Sequence, residues 1–569
     1  MSENPGKIIP FSVVMALVVF VQAAPVNALS RLTVDTHNHR HFADTLGNPV
    51  LLIGDSPQNL PQKLTIAQTQ TYFDDCRGNG INLVWVCIDG QPTASAENTP
   101  PVDKKGNLEF GAGGTPDGWD LSLVNTSYFS ETLDSMLLLA EEHSIYVNLM
   151  PMSQCYWPPA NITANTPQKA FNYGVWLGSR YKNQRNILWI FGNDNIDTSR
   201  QCPIARGIIS TGDNHLMSIH ALNPGVWGQD PNDDASGASG NFYKHLPNST
   251  MGWVTFNSLY SDMQVFNQAH FVYHEYMKAD IMPILMTEGP YQKLAGYGWQ
   301  VATNKVERSL NYRVAFGGGF GGGYTYGCDW LQSATSPWNK FLDKGSRPHI
   351  KFFSDLLKDK QWWDLKPDWG RTFLTATTLA GGSQIENDDY TMAAFDTAGG
   401  RLGLVYCTVQ QTVTADLSKM PGPVTARWYD PTSGNYTIIS GSPFANSGPR
   451  QFTTPAAAHA EVNTDNSAET SYDWVLVLDA GNTAVRRDRL PRRDAGLSMI
   501  AGSNNVSFRL DRPGFVSILT VEGRVVKRVW CAEPGAQKMG LADVPSGIYI
   551  IKIDPNKNGP VQYVLSIAR

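Results

Sequence analysis

The chain has 569 residues, too long for one small fold; at about 150 residues per domain it predicts three to four domains, or fewer if one is an α/β barrel. Hydrophobic residues make up 42% and charged residues 17%, so a sizeable core is available and wholesale disorder is disfavoured. The formal charge is −6 and no run of like charge occurs, which removes the cationic footprint that a nucleic-acid partner requires.

At the N-terminus Lys7 precedes an apolar run from Phe11 to Val21 and then Val26-Asn27-Ala28, the pattern of a signal peptide cleaved after Ala28. That run is shorter than the roughly 20 residues of a membrane span, and no later stretch approaches it. The mature chain is therefore expected to be exported, secreted or held at the cell surface, with no transmembrane segment. Seven cysteines are scattered without a C-x-x-C pair, which speaks against a zinc or redox motif. Most read as small buried hydrophobes, and a Cys155–Cys202 bridge is left open.

Over residues 49 to 330 short apolar runs alternate with helical patterns, the signature of β/α units and a parallel sheet. The runs are Val50–Gly54, Asn82–Ile88, Ile145–Met150, Ile187–Phe191, Leu216–His220, Trp253–Asn257, Met282–Thr287 and a glycine-rich eighth around Gly321–Tyr326. Eight is the count of a closed barrel. Ser130 is the expected cap of a helix with an apolar face of Leu133, Met136, Leu137 and Ala140. Thr166-Pro167 opens another, and Gly90 to Trp119 is expected as a long loop of the active-site face. From Phe373 to Leu478 only short alternating strands remain, which reads as a β-sandwich. The expected layout is a signal peptide 1–28, a (β/α)8 barrel 29–372, a β-sandwich 373–479, a linker 480–496 and a small all-β domain 497–569.

Barrel enzymes take their catalytic groups from the C-terminal ends of strands. Here those ends carry Asp55, Asn193-Asp194-Asn195, His220, Asn257-Ser258, Glu288, and Tyr326 with Asp329. Asp194 and Glu288 are separated by three β/α units, which assigns them to strands four and seven. Two carboxylates across a barrel mouth are the minimal equipment of glycoside hydrolysis: one protonates the leaving oxygen, the other attacks the anomeric carbon or activates water. Asp55, Asn193, His220, Asn257 and Tyr326 are candidate partners of sugar hydroxyls, with Tyr156 and Trp157 candidate stacking residues. An acid after a strand is often a helix cap instead; the pair together favours catalysis. No cofactor and no metal is expected. His37, His39 and His41 alternate but precede the barrel, where a surface hairpin is expected. The G-x-G-x-x-G at Gly317, Gly319 and Gly322 has a helix before it and a strand after it, the reverse of a dinucleotide fingerprint.

Arg180-Tyr181 with Asn186-Ile187-Leu188-Trp189-Ile190-Phe191-Gly192-Asn193-Asp194 resembles the fourth-strand motif of the apiosidase-like glycoside hydrolases. Leu52-Ile53-Gly54-Asp55, Gly80-Ile81-Asn82-Leu83-Val84, Met286-Thr287-Glu288 with Tyr291, and Gly323-Tyr324-Thr325-Tyr326-Gly327 are similar to its motifs on strands one, two, seven and eight. The resemblance implies a (β/α)8 fold with Asp194 and Glu288 as the catalytic carboxylates, and cleavage at apiose in a pectic side chain. This chain has Gly192-Asn193-Asp194 where the family commonly has Gly-Gly-Asp. Ala426 to Gly434 and Asp473 to Leu478 are similar to the β-sandwich usually fused to these barrels and named for collagen binding. Trp428 and Tyr429 in it read more simply as core. Gly523-Arg524-Val525-Val526 and Pro545 to Ile550 resemble the sorting domains of type IX secretion cargo, which implies a bacterial source and contact with that secretion machinery. The expected function is thus a glycoside hydrolase on a plant or algal cell-wall polysaccharide. A non-catalytic glycan-binding protein on a degenerate barrel, or an adhesive protein using its β domains, are the alternatives.

Overall fold

The computed structural model describes residues 29–89, 102–111, 119–153, 159–193, 197–220, 244–245, 250–260, 268–288, 302–319, 338–342, 345–358, 360–382, 389–463 and 465–480. Near the C-terminus it describes 500–502, 505–510, 514–520, 525–531, 535–540, 544, 547–555 and 561–567. The chain falls into two compact units, Met1–Thr483 and Ala484–Arg569.

The first unit opens with a β/α barrel. Parallel strands β1 (Gly54–Asp55), β2 (Leu83–Cys87), β3 (Tyr146–Met150), β4 (Ile187–Gly192) and β5 (Met217–His220) lie side by side in chain order. β6 (Asn257–Tyr260) and β7 (Ile284–Glu288) form a further parallel pair. Thr255 N–H donates to Met217 O and Ser258 N–H to Ser218 Oγ, which joins that pair to β5. The expected eighth strand lies outside the described residues. Strands covered by helices outside and filled with side chains inside must be apolar on both faces; β2, β3 and β4 are accordingly buried throughout. Along each strand alternate residues point inward. Leu52, Leu83, Tyr146, Leu188, Leu216, Phe256 and Leu285 build an apolar floor, plugged from below by Leu32 and Phe42 of the N-terminal hairpin. One step higher the lining becomes mixed, with Trp85 and Ile190 beside Asn148, Ser218, Ser258 and Thr287.

Helices α1 (Ile66–Gly78), α2 (Asp134–Glu142), α3 (Pro167–Tyr181), α4 (Thr198–Ser210), α5 (Gln268–Met277), α6 (Asn304–Phe316) and α7 (Arg347–Lys358) cover the outside. Thr166 caps α3 through its hydroxyl, with Pro167 in the first turn, as expected. Ser130 is not a cap. Asn125 caps a turn at Thr126–Tyr128 that runs through a π-turn, Phe129–Leu133, into α2; Asn125 precedes the first helical residue and can take the free amide of Ser127. The predicted face Leu133, Met136, Leu137 and Ala140 is buried. Gly174 and Gly207 let α3 and α4 touch: a Cβ on either would lie 2.1 to 2.2 Å from a carbonyl oxygen of the facing helix. The three N-terminal histidines lie in or beside the hairpin turn, not along a strand. His37 bonds Asp35, while His41 is buried against Trp363 O and the Trp362 ring. Cys202 is a free buried thiol, and Cys155, the other half of the bridge left open above, lies outside the described residues.

After α7 come the strands of the β-sandwich. A six-stranded sheet holds Met392–Asp396, Leu402–Cys407, Trp474–Asp479 and Thr425–Tyr429 at its centre, and a three-stranded sheet of Leu374–Thr377, Thr412–Asp416 and Pro449–Thr453 accompanies it. Trp428 lies in the sandwich core and Tyr429 packs toward the barrel, so both are core residues, not a ligand platform. Arg308 of α6 joins the two parts. Only 1% of its side chain is exposed, and it donates to both Asp473 oxygens (2.9 and 2.7 Å), both Glu461 oxygens (2.9 Å each) and Ser471 Oγ. Burial alone would raise the Asp473 carboxyl, but the Arg308 charge and the hydrogen bonds from Arg308 and Tyr406 hold it at about 2. Tyr312 of α6 stacks on Tyr406 at 4.7 Å.

The second unit is all-β, with a three-stranded sheet (Ile500–Gly502, Asn505–Leu510, Gly535–Gly540) and a four-stranded one (Val525–Cys531, Gly514–Thr520, Gly547–Pro555, Val561–Ile567).

Arg308→Met leaves two acidic groups buried without their cation, so unfolding in urea should show a loss of about 3–5 kcal/mol; a loss below about 1 kcal/mol would contradict the clamp. His349 accepts from Arg308 Nη1 at 3.1 Å, and burial with the Arg308 charge lowers its pKa from 6.5 to about 4. A depressed folded value means the unfolded chain takes up this proton first. The contribution is therefore complete above pH 6.5 and lost as pH falls through 4. Between those values the wild type should lose stability more steeply than His349→Gln, by up to about 1.4 kcal/mol per pH unit, measured as urea midpoints.

Candidate active site

The carboxyl ends of the strands form a hydrogen-bonded rim. Asp89, following β2, accepts Ser153 N–H at 2.7 Å, and Ser153 follows β3. Ser153 Oγ accepts from Asn193 Nδ2 at 2.7 Å, and Asn193 follows β4. Asn193 N–H donates to His220 O at 2.7 Å. His220, at the end of β5, places Nε2 2.8 Å from Glu288 Oε2, at the end of β7. Its other nitrogen, Nδ1, lies 2.9 Å from Thr287 Oγ1. Five strand ends are thereby tied together, and Glu288, with 7% of its side chain exposed, sits at one end of the chain of bonds.

Glu288 owes its aim to an irregularity. By alternation Thr287 points into the barrel and Glu288 away from it. The register between β6 and β7 slips at this point, with Leu259 opposite Met286 but Tyr260 opposite Glu288, and such a slip re-aims a side chain at a strand end. Gly192 and Asn193 make a comparable break after β4, at φ 111° and 96°. Glycine adopts that region freely; asparagine does so rarely and here spends its amide on Ser153.

The structure thus brings together Glu288, His220 and Asn193. It does not bring Asp55 or Asn257 to them. Asp55 faces outward from β1, where its carboxylate accepts from Tyr72 OH and Arg347 Nη1, both at 2.7 Å, with Arg347 also held by Asp75 and Cys76. Asn257 is the first residue of β6, not the last as the sequence predicts. The apolar run that starts at Trp253 includes a turn in which Val254 N–H bonds Met251 O, which delays the strand. Asn257 directs its amide to Glu275 of α5 on the outer face of the sheet, and Ser258 takes the inward position. Asp194, Tyr156, Trp157 and Tyr326 lie outside the described residues.

Asp89, Ser153 and Thr287 complete the rim with Ser258 but were not among the predicted site residues. Their signal was present: Asp89 directly follows an apolar run, Ser153 comes three residues after one, and Thr287 directly precedes the predicted acid. Glu109 is a further overlooked acid. It is buried beside the Gln62 amide at 3.0 Å, and burial, with the Asp89 charge adding, pushes its carboxyl well above the ordinary range. Among the described residues no group of three or more His, Cys, Asp or Glu is arranged to hold a metal ion.

A parallel β/α barrel with a buried glutamate at the carboxyl end of its seventh strand is a scaffold on which glycoside hydrolysis can be built. Solved structures with the same fold include a glycoside hydrolase (TM-score 0.62, 18% identity, covering 80% of this chain and 98% of that one). Another is a glycoside hydrolase family 5 protein from Bacteroides vulgatus (TM-score 0.61, 18% identity, 80% and 95% covered). Residues 36–364 match the apiosidase-like catalytic domain, and the chain belongs to that family of glycosidases. Residues 376–479 match a domain described from a collagenase as collagen-binding. No curated protein matches the sequence.

Replacing Asn193 separates backbone strain from side-chain bonding. Asn193→Ala keeps a Cβ at positive φ and loses the Ser153 bond, so it should cost about 1–3 kcal/mol in urea unfolding. Asn193→Gly loses the bond but relieves the strain and should cost clearly less; equal losses would show that φ carries no strain here.

Proposed function

We propose that the protein is an exported glycoside hydrolase that cleaves a plant or algal cell-wall polysaccharide, a pectic side chain bearing apiose being the first candidate. The observation that supports this most directly is Glu288, buried at the mouth of the barrel and hydrogen-bonded to His220. In this reading Asp194 is the general acid/base and Glu288 the nucleophile, or the base if the enzyme inverts. Asp194 gives its proton to the glycosidic oxygen as the bond to the anomeric carbon breaks. Glu288 then either forms a glycosyl ester that water opens, or takes a proton from the water that attacks. The first course needs carboxyl groups about 5–5.5 Å apart and the second about 6.5–9.5 Å.

The remaining parts of the reading concern address. Residues 1–28 serve as the export signal, 29–372 as the catalytic barrel and 373–479 as its accessory sandwich. A linker, 480–496, carries the small β domain 497–569, which directs type IX secretion in a bacterium. Support comes from the leader pattern and from the resemblance of the last β unit.

The test is incubation of the mature protein with pectic, hemicellulosic and algal polysaccharides, with released sugars identified by chromatography. Glu288→Gln and Asp194→Asn should each lower release by at least about 100-fold while thermal unfolding stays close to wild type. Undiminished release by either variant would remove that carboxylate from the mechanism.

A further inference from the structure

The hydrogen bonds behind Glu288 fix the position of protons in the resting site. Thr287 Oγ1 has three neighbours: Leu259 O at 3.1 Å, Ser258 Oγ at 2.5 Å and His220 Nδ1 at 2.9 Å. A carbonyl oxygen can only accept, so the single Thr287 proton belongs to Leu259 O. Thr287 then accepts from the other two, and the only assignment that satisfies all three contacts puts a proton on His220 Nδ1. Ser258 donates its hydroxyl proton to Thr287, while its backbone N–H goes to Ser218 Oγ, whose own proton goes to Phe256 O.

With Nδ1 protonated, the 2.8 Å contact between His220 Nε2 and Glu288 Oε2 holds one further proton. The two groups together are neutral wherever that proton sits. In water, imidazole outcompetes a glutamate carboxylate for a proton by about two pK units, on the order of 100-fold. One neighbour adds to this preference: the indole of Trp85 lies with its ring centroid 4.4 Å from that of His220, and an aromatic ring favours the cationic form.

We infer that His220 rests as an imidazolium and is the positioning residue of Glu288, which it keeps ionised and oriented through Nε2–H. It is not a partner of sugar hydroxyls. The inference rests on the reading of Glu288 as the reacting carboxylate, and it adds a mechanism for presenting that carboxylate charged inside a barrel. As charge leaves Glu288 in forming a glycosyl ester, or as Glu288 takes a proton from water, the imidazolium remains and the Thr287 bond keeps the ring from turning.

The test needs no substrate. Histidine side chains of the full mature chain are labelled with 15N and the His220 ring is assigned as the signal absent from His220→Gln. Wild type at pH 7 should show protons on both ring nitrogens. Glu288→Gln should show a neutral ring with the proton on Nδ1. A neutral wild-type ring, a bare Nδ1, or an imidazolium that persists in Glu288→Gln would each overturn the inference. Once the polysaccharide panel yields a substrate, His220→Ala should lower kcat by about 100-fold, the scale for losing one fixed donor, with KM within about twofold. A rise in KM at unchanged kcat would return His220 to sugar binding. Undiminished release by Glu288→Gln in the panel would instead count against the glycosidase reading, whatever the ring spectrum shows.

Discussion

A barrel interior can hold an ionised carboxyl only if something there replaces water, and the hydrogen bond between His220 and Glu288 is that replacement. The requirement sorts the residues inside the barrel. Below, the strands supply aliphatic and aromatic side chains that pack without polar demands, closed by Phe42 and Leu32 of the hairpin. Above, the same strands turn to Ser218, Ser258 and Thr287, each bonded to a neighbour or to a backbone carbonyl. An unsatisfied hydroxyl at that depth would cost more than a methyl group, and these three avoid that cost, whereas the Asn148 amide in the same layer finds no partner among the described residues. The network ends on His220, and through it on Glu288.

Two buried arginines hold the scaffold that carries this site. Arg347 of α7 draws Asp55, Asp75 and Cys76 together on the outer side of β1. Asp55 follows the first strand and so resembles a catalytic acid by position, yet its orientation makes it an anchor. Nearby, the Glu307 carboxyl is fully buried with no hydrogen-bond partner for either oxygen among the described residues; burial, with Asp55 adding, pushes its pKa well above the ordinary range. Burial and the like charge of Asp55 both act against a second carboxylate beside that ion pair. Removing one partner of such a buried pair strands the other charge, which makes these contacts costly to break whatever their net contribution to stability.

The periodic parts of this fold were legible from the sequence. Continuous apolar runs locate β2, β3, β4, β5 and β7 closely because burial on both faces leaves little freedom of composition. The helix opened by Thr166-Pro167 is legible because its cap chemistry is local. What failed did so where a local signal had a competitor. The run around Trp253 is as apolar as a strand, but a turn takes its first residues, so Asn257 begins β6 and faces a helix. Asn125 outcompetes Ser130 as a cap. Alternation would also have turned Glu288 outward, and only the register slip against β6, a property of two strands at once, brings it to His220. Spacing therefore placed Glu288 at the end of β7, while its orientation and its histidine partner depended on pairing that no single segment encodes.

The joint between barrel and sandwich bears on the same strand. Glu288 ends β7, and α6 begins at Asn304 on the next described stretch of chain. Asn304 bonds Asn463 and Val462 of the sandwich, Arg308 reaches Asp473 and Glu461, and Tyr312 stacks on Tyr406. The sandwich thus grips the helix that follows the acid-bearing strand along three successive turns. Its hold uses charges buried against α6, not an exposed face, so the domain acts as part of the barrel's wall.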